Sequence, residues 1–196
     1  MILPIVAYGD PVLKRKAKEI QKDYPKLDTL IENMWESMYN AHGVGLAAPQ
    51  VGLSIRLFVI DASPFAEDDD LIENEETDLK DFKRVFINPV IIEENGDEWD
   101  FNEGCLSIPD VREDVFRQPN IKIEYYNQNF EKQTEELSGL AARVVQHEYD
   151  HIEGILFTDK LSSLKRKLIK GKLNNITKGK VKVDYRMRFP QLKKRK

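Results

Sequence analysis

The sequence predicts an α+β fold. Three observations carry this prediction: an amphipathic helical pattern near the N-terminus, a middle section of short apolar runs typical of strands, and two further helical patterns in the last third of the chain. Because the helical and strand patterns are grouped along the chain and do not alternate, an α+β arrangement is favoured over a doubly wound parallel sheet.

The first predicted helix follows Pro25, and His42-Gly43 provide a stop signal at its end. Its apolar residues recur at helical spacing: Leu27, Leu30, Ile31, Met34, Met38 and Ala41. Three strands are predicted next, over residues 55–60, 85–92 and 121–126, the second of them interrupted by Asn88-Pro89. In the third strand, the alternation of Ile121, Ile123 and Tyr125 predicts one buried face.

Two more helices are predicted towards the C-terminus. Ser138 is a suitable N-cap for the first, whose pattern includes Leu140, Ala141, Val144, Val145, His147, His151 and Ile152. The second is predicted from about Asp159, with Leu161, Leu164, Leu168 and Ile169 on one face.

Length and composition indicate one soluble globular domain. The chain has 196 residues, of which 41% are hydrophobic and 33% charged, which disfavours a membrane protein and a disordered one. No apolar run approaches the roughly 18 residues needed to span a bilayer, and no basic segment precedes the first apolar residues. The single cysteine, Cys105, excludes an intrachain disulfide. We therefore expect a cytoplasmic protein with no membrane partner and no specific DNA partner.

Charge is unevenly distributed along the chain. Residues 160–196 carry a net charge of +14, whereas residues 67–81 contain nine acids and one base. We expect a single catalytic metallohydrolase domain over residues 1–172, with an acidic surface insertion at about 66–82, followed by a basic C-terminal extension over 173–196.

The chemistry is indicated by the segment from Gln146 to His151, which contains the pattern H-E-x-x-H. Residues i and i+4 share a helix face, so His147 and His151 can reach one metal ion while Glu148 lies beside it. Two surface histidines would be the simpler interpretation. Val144 lies on the same face, however, so this face continues the apolar stripe that faces the core.

A catalytic metal site usually has three protein ligands and one open position. Downstream of the motif there is no further histidine, and the acids Glu153, Asp159 and Asp184 are poorly placed. Upstream, Cys105 is the only soft donor in the chain, in the segment Glu103-Gly104-Cys105-Leu106-Ser107. A Cys-His-His site follows.

Three separated motifs resemble the signature set of the peptide deformylases, and they occur in the family order. They are Gly43-Val44-Gly45-Leu46-Ala47-Ala48-Pro49-Gln50, Glu103-Gly104-Cys105-Leu106-Ser107 and Gln146-His147-Glu148-Tyr149-Asp150-His151. The N-terminal segment of residues 5–13 is similar too, so the resemblance covers about residues 1–160. It implies strands wrapped around a central helix that carries the two histidines, and an enzyme that removes the formyl group from the N-terminal formyl-methionine of new polypeptides.

Carried over residue by residue, the resemblance implies that Cys105, His147 and His151 bind a divalent metal ion. Glu148 is then the acid and base, and Gln50 with the backbone N–H of Leu106 stabilises the oxyanion. Thiolate and imidazole donors suit Zn²⁺, Fe²⁺, Ni²⁺ and Co²⁺, and only the resemblance favours Fe²⁺ as the physiological ion.

The small residues before Gln50, Gly45 among them, predict close backbone approach to an extended peptide substrate, with Gly104 on the opposite motif. The resemblance also implies an apolar pocket for the first side chain of the substrate. By position, Val44, Leu140 and Val144 are expected to line it, with Phe101 a further candidate. Arg143 is expected to turn away from the site, with its stem against the surface.

Two other functions remain open from the sequence. A metallopeptidase that cuts internal bonds would use the same H-E-x-x-H but needs a downstream third ligand. A ribosome- or nucleic-acid-binding module with a structural metal is suggested by the basic C-terminus, and a structural site needs four ligands. The same basic segment also suggests that the enzyme itself contacts the ribosome.

Overall fold

The computed structural model describes residues 1–68 and 77–190, which form a mixed helix and sheet architecture. The helices are α1 (Leu27–Asn40), α2 (Gly139–Glu153) and α3 (Ser163–Thr177). The strands are β1 (Ile5–Val6), β2 (Gly45–Ala47), β3 (Leu57–Asp61), β4 (Lys83–Asn95), β5 (Trp99–Cys105), β6 (Ile108–Arg117), β7 (Asn120–Tyr126), β8 (Lys132–Leu137) and β9 (Met187–Arg188). Strands β3, β4 and β7 confirm the three predicted strands.

The largest sheet has five antiparallel strands in the order β2-β3-β4-β7-β8, which leaves β2 at one edge. Strands β5 and β6 form a separate hairpin, and β1 pairs in parallel with β9. The β4–β7 register shifts between Ile87 and Val90, at the predicted Asn88-Pro89 interruption. Ile121, Ile123 and Tyr125 are buried, as their alternation predicts.

Helix α2 packs against β2, β3 and β7 and contributes much of its surface to the main core. Ser138 occupies its N-cap position, as predicted. The helix ends at Gly154, whose φ of 76° is a left-handed conformation. A side chain there would also meet the backbone of Lys14 at 2.8 Å, so glycine is required for the close approach of the N-terminal segment.

Helix α3 corrects one prediction. It begins at Ser163 after a Ser162 cap whose hydroxyl accepts from the Lys165 N–H, and not at Asp159. Its buried residues are Ile169, Leu173 and Ile176, whereas Leu164 and Leu168 are 66% and 72% exposed. These three buried residues are spaced at four and three positions, so they form the helix face that packs on the core. They lie in the C-terminal half of α3, and that half is the part that docks.

The acidic and basic segments lie partly outside the described residues. Residues 69–76 of the predicted acidic insertion and residues 191–196 of the basic extension belong to the parts that the structure does not describe. On the far side of the first gap, Leu79 and Phe82 are buried. Helix α3 runs without a break across residues 172 and 173. Within 1–68 and 77–190, no helix is long and apolar enough to cross a membrane.

Candidate active site

A cavity of about 860 Å³ lies between the end of α1, the β5–β6 hairpin, α2 and the segment that precedes β9. Cys105, His147 and Glu148 line it, together with Gln50 and Leu106. The structure thus brings the three sequence motifs to one place, although 52 and 38 residues separate them along the chain.

Cys105 and the two histidines form a compact donor cluster. The three ligand atoms lie within 4.8 Å of one another, and Cys105 Sγ is 3.3 Å from His151 Nε2. Donors about 2.0–2.3 Å from one tetrahedral ion lie roughly 3.5 Å apart, so the cluster has the dimensions of a metal site. Cys105 lies directly after a register shift between Gly104 and Cys105 in the β5–β6 pairing, and such an irregularity changes the direction of the side chain that follows it.

The two histidines lie on the same face of α2, as the i, i+4 spacing predicts. Burial lowers the pKa of His151 well below its ordinary value, which favours the neutral imidazole that metals bind. Burial acts on His147 in the same direction, but hydrogen bonds with Cys105 and Glu103 outweigh it and raise its pKa well above the ordinary value.

Glu103 is the functional residue whose role sequence reasoning missed. Its Oε2 accepts a hydrogen bond from His147 Nδ1 at 2.9 Å, which leaves Nε2 of that ring to face Cys105. Arg117 donates to both carboxylate oxygens of Glu103, at 2.7 and 3.0 Å, and to Asp150 at 2.7 Å. Burial alone would raise the pKa of Glu103, but the hydrogen bonds from Arg117 and His147 hold it far below its usual range.

Arg143 does not turn away from the site, which corrects the sequence-based expectation. It is buried, and its guanidinium donates to Glu103 Oε1 at 3.1 Å and to the carbonyls of Val115 and Trp99 at 2.9 and 2.7 Å. The guanidinium also lies 4.5 Å from the centre of the Trp99 ring. A buried arginine needs such partners, and here they come from β5 and β6, which no local pattern on α2 reveals.

Glu148 is 4% exposed, and its Oε2 has no hydrogen-bond partner among the described residues. Burial raises the pKa of this carboxyl to about 7. The side chain lies against Gly45, where an added Cβ would meet Glu148 Cγ and Cδ at 2.8 Å. The missing side chain of Gly45 therefore makes room for the carboxylate.

Gln50 is buried beside Cys105. Its Oε1 accepts from the Ala47 N–H at 2.8 Å, so its amide NH₂ is directed towards Cys105 Sγ and Ser107 Oγ, each at 3.4 Å. Leu106 lies in the two-residue turn between β5 and β6 and lines the cavity. The Gln50 amide and the turn that contains Leu106 therefore both lie next to Cys105 in the cavity wall.

Of the residues expected to bind substrate, the structure brings Val44, Gly45, Gly104 and Val144 to the cavity, and also Phe101. It does not bring Leu140, which packs in the main core. The lining also includes two groups that the sequence did not indicate: Phe65, which follows β3, and the C-terminal residues Lys182, Val183, Asp184 and Tyr185.

A buried H-E-x-x-H helix with a thiol donor and an unpartnered carboxyl in a cavity defines a metal-dependent hydrolase. Residues 2–167 match the family model for polypeptide deformylase. The chain is 72% identical over 194 residues to a peptide deformylase of Christiangramia forsetii, and 63% identical over 194 residues to one of Flavobacterium johnsoniae, each match covering 99% of both chains. It therefore belongs to the polypeptide deformylase family.

Solved structures agree with this assignment. A peptide deformylase from Legionella pneumophila superposes with a TM-score of 0.76 at 34% identity, covering 92% of this chain and 98% of that one. The two alternatives that the sequence left open lose their support. A metallopeptidase would need a downstream ligand, but the third donor is Cys105, and the donor cluster found among the described residues has three members rather than the four of a structural site.

Proposed function

We propose that Cys105, His147 and His151 hold one divalent metal ion, and that Glu148, Gln50 and the Leu106 N–H carry out deformylation around it. The reaction is hydrolysis of the formyl group of N-formylmethionyl peptides, with release of formate and a free amino terminus. The observation that carries the proposal is the placement of a buried, unpartnered carboxyl of Glu148 beside the three-donor cluster.

The residues present fit a metal ion. The three ligand atoms have the spacing of a tetrahedral site. Nδ1 of His147 donates a hydrogen bond to Glu103, which leaves Nε2 of that ring as the atom that can bind the metal. When bound, the ion supplies Lewis acidity and lowers the pKa of water towards neutrality. One soft thiolate with two imidazoles suits Fe²⁺, Zn²⁺, Ni²⁺ or Co²⁺, and we propose Fe²⁺ as the physiological ion.

Glu148 moves the proton. A carboxyl with a pKa of about 7 is divided between its two protonation states near neutral pH, so it can accept a proton from water and return it to the leaving amine. Because Gly45 has no side chain, the carboxylate has room beside the strand in both steps.

Gln50 and Leu106 stabilise the negative charge that develops on the formyl oxygen. The bond from the Ala47 N–H fixes the Gln50 amide, so its NH₂ group needs no reorientation during the reaction. The Leu106 N–H is the second donor. Removing one such donor typically costs about 10²–10³-fold in rate.

The peptide substrate binds along the edge strand β2, where Gly45 meets the cavity. We place the first side chain among Val44, Phe101 and Val144, with Phe65 as a further wall. Gly104 faces the peptide from the other side.

The test of this function uses protein prepared without oxygen, and three substrates: a formyl-methionyl peptide, its acetyl-methionyl analogue and an unblocked protein. We expect formate from the first and no hydrolysis of the other two. Cleavage of the unblocked protein would instead show a peptidase. Loading the same preparation with Fe²⁺, Zn²⁺, Ni²⁺ or Co²⁺ tests the ion, and we expect the Fe²⁺ form to lose activity in air.

The basic C-terminus supports a second proposal, that the cytoplasmic enzyme contacts the ribosome near its nascent substrates. On α3, Lys167 and Lys170 are exposed. Replacing both with serine should weaken cosedimentation with ribosomes. It should also reduce the slope of log affinity against log salt concentration by up to about two, because each lysine that neutralises a phosphate adds about one to that slope. Replacing the exposed Lys18 and Lys22 is the control. Equal sedimentation of both variants would contradict this contact.

A further inference from the structure

The C-terminal segment of residues 182–185 forms one wall of the active-site cavity. This segment lies beyond the part of the chain that matches the family model, which ends at residue 167. The residues carried over from the motifs all lie before it. It therefore contributes cavity-lining residues that lie outside the three motifs.

Tyr185 connects this segment to the turn that carries the proposed oxyanion donor. Its hydroxyl donates a hydrogen bond to the Leu106 carbonyl at 2.8 Å. The backbone next to Tyr185 is anchored to the N-terminal segment. The carbonyl of the next residue, Arg186, accepts a hydrogen bond from the Ile5 N–H at 2.8 Å, where β9 begins to pair with β1. Burial raises the pKa of Tyr185 above its ordinary value, so the hydroxyl keeps its proton.

The turn between β5 and β6 is held by two bonds from outside the hairpin. It lies after the register shift between Gly104 and Cys105, where Cys105–Ile108 is the last pair, and it faces the cavity. At Ser107, the carbonyl accepts from the Tyr8 N–H at 2.8 Å. At Leu106, the carbonyl accepts from Tyr185. Rotation of the peptide unit between these two residues would move the Leu106 carbonyl away from Tyr185, so this bond fixes the orientation of that unit. The Leu106 N–H belongs to the preceding peptide unit, which is joined to the fixed one at the Leu106 Cα, so the bond limits its movement too.

We propose that Tyr185 is a positioning residue for deformylation, which acts by fixing the turn that carries the Leu106 N–H. The C-terminal segment is then part of the active site and not only a basic appendage. This proposal rests on the proposed role of the Leu106 N–H. The phenol acts through its hydroxyl on the turn, and through its ring as a wall of the cavity.

Two substitutions separate these contributions. Tyr185→Phe removes the hydroxyl and keeps the ring, so kcat should fall about three- to tenfold, the effect of one lost hydrogen bond, while KM for a formyl-methionyl peptide stays unchanged. Tyr185→Ala also removes the wall, so it should raise KM in addition. Tyr24→Phe is the matched control, because Tyr24 is a partly buried tyrosine of the same apolar cluster, away from the cavity.

Metal content and the thermal midpoint are measured for every variant. A lower kcat for Tyr185→Phe, with metal content and midpoint equal to those of Tyr24→Phe, supports the proposal. An unchanged kcat for Tyr185→Phe overturns the proposal. A lower kcat accompanied by a lower thermal midpoint also overturns it, because a purely structural role would cause both changes. Glu148→Gln is assayed in parallel: if that variant stays active, the proposed function fails, whereas an inactive Glu148→Gln with a fully active Tyr185→Phe rejects only the positioning role.

Discussion

Gly45→Ala tests the placement of the Glu148 carboxylate, the proposed acid and base, most directly. The φ angle of Gly45 is one that alanine can adopt, so the substitution acts through space alone and not through backbone strain. The new Cβ would collide first with Glu148 Oε1 and would lie 2.8 Å from Glu148 Cγ and Cδ, whereas ordinary contacts begin at 3.4 Å. The carboxylate or the strand must therefore move by at least several tenths of an ångström.

This displacement is costly because neither partner has room. Glu148 and Gly45 are both buried, and β2 is paired with β3 through Gly45 and Ile60. A misplacement of about 1 Å in a catalytic group can cost about 10²-fold in rate. We expect kcat to fall about 10- to 100-fold, with the three metal ligands unaffected, and the free energy of unfolding to fall by about 1–3 kcal/mol from overpacking.

The assay is formate release from a formyl-methionyl peptide, with metal content and urea unfolding measured on the same preparation. Two alanine substitutions serve as controls. At Gly171, on the exposed side of α3, a Cβ meets nothing within 4 Å, so activity should be unchanged. At Gly43, the tight contact of the Cβ is with the end of the Leu106 side chain at 2.8 Å, which can rotate, and its other neighbours lie at 3.4 Å, so the loss should be smaller than at Gly45. Wild-type kcat in Gly45→Ala would refute the placement of Glu148 against this strand.

The remaining predictions concern the metal, the proton, the pocket and stability. Glu148→Gln should keep its metal and lose about 10²–10⁴-fold in kcat, and wild-type turnover would remove the residue from its role. Cys105→Ser should lose metal during dialysis, because a hydroxyl is a poor soft donor, and full retention would point to another ligand. Val44→Phe should raise KM more for formyl-methionyl than for formyl-alanyl peptides, and equal effects would place Val44 outside the pocket. Burial opposes ionisation of Asp61, but hydrogen bonds from Ser63 and Tyr39 lower its pKa below the ordinary value. Its carboxylate therefore stabilises the fold at neutral pH, and this stabilisation is lost as the pH falls through the lowered pKa. Urea unfolding of Asp61→Asn should differ from wild type at pH 7 and converge with it in strong acid, and an unchanged difference in strong acid would contradict this linkage.

Local patterns were sufficient for the elements and donors that depend on local geometry. The spacing of His147 and His151 requires only a helix to place both rings on one face, and the helix follows from its own apolar stripe. Cys105 could be proposed because the chain contains no other thiol. Strands β3 and β7 were predictable because their residues are buried by a simple pattern. By contrast, β5 and β6 carry charged residues throughout and gave no such signal.

Other features depend on contacts between distant segments. On α3, Leu164 and Leu168 satisfy an apolar periodicity as well as Ile169 does, and only docking against the rest of the protein decides which of them is buried. Arg143 is charged and lies on a helix, so its sequence context indicates solvent. It is buried because Glu103 and two carbonyls of the β5–β6 hairpin compensate its charge.

The sequence by itself was enough to predict the candidate metal donors and the candidate acid–base carboxyl, because these are defined by residue type and by short spacings. Only the tertiary structure decided the shape of the site. Leu140 lies on the same helix as the ligands but packs in the core, whereas Tyr185 comes from the far end of the chain and lies in the cavity wall. A cavity wall is formed by whichever segments meet in space, and that meeting is set by the packing of the whole chain, which no local pattern records.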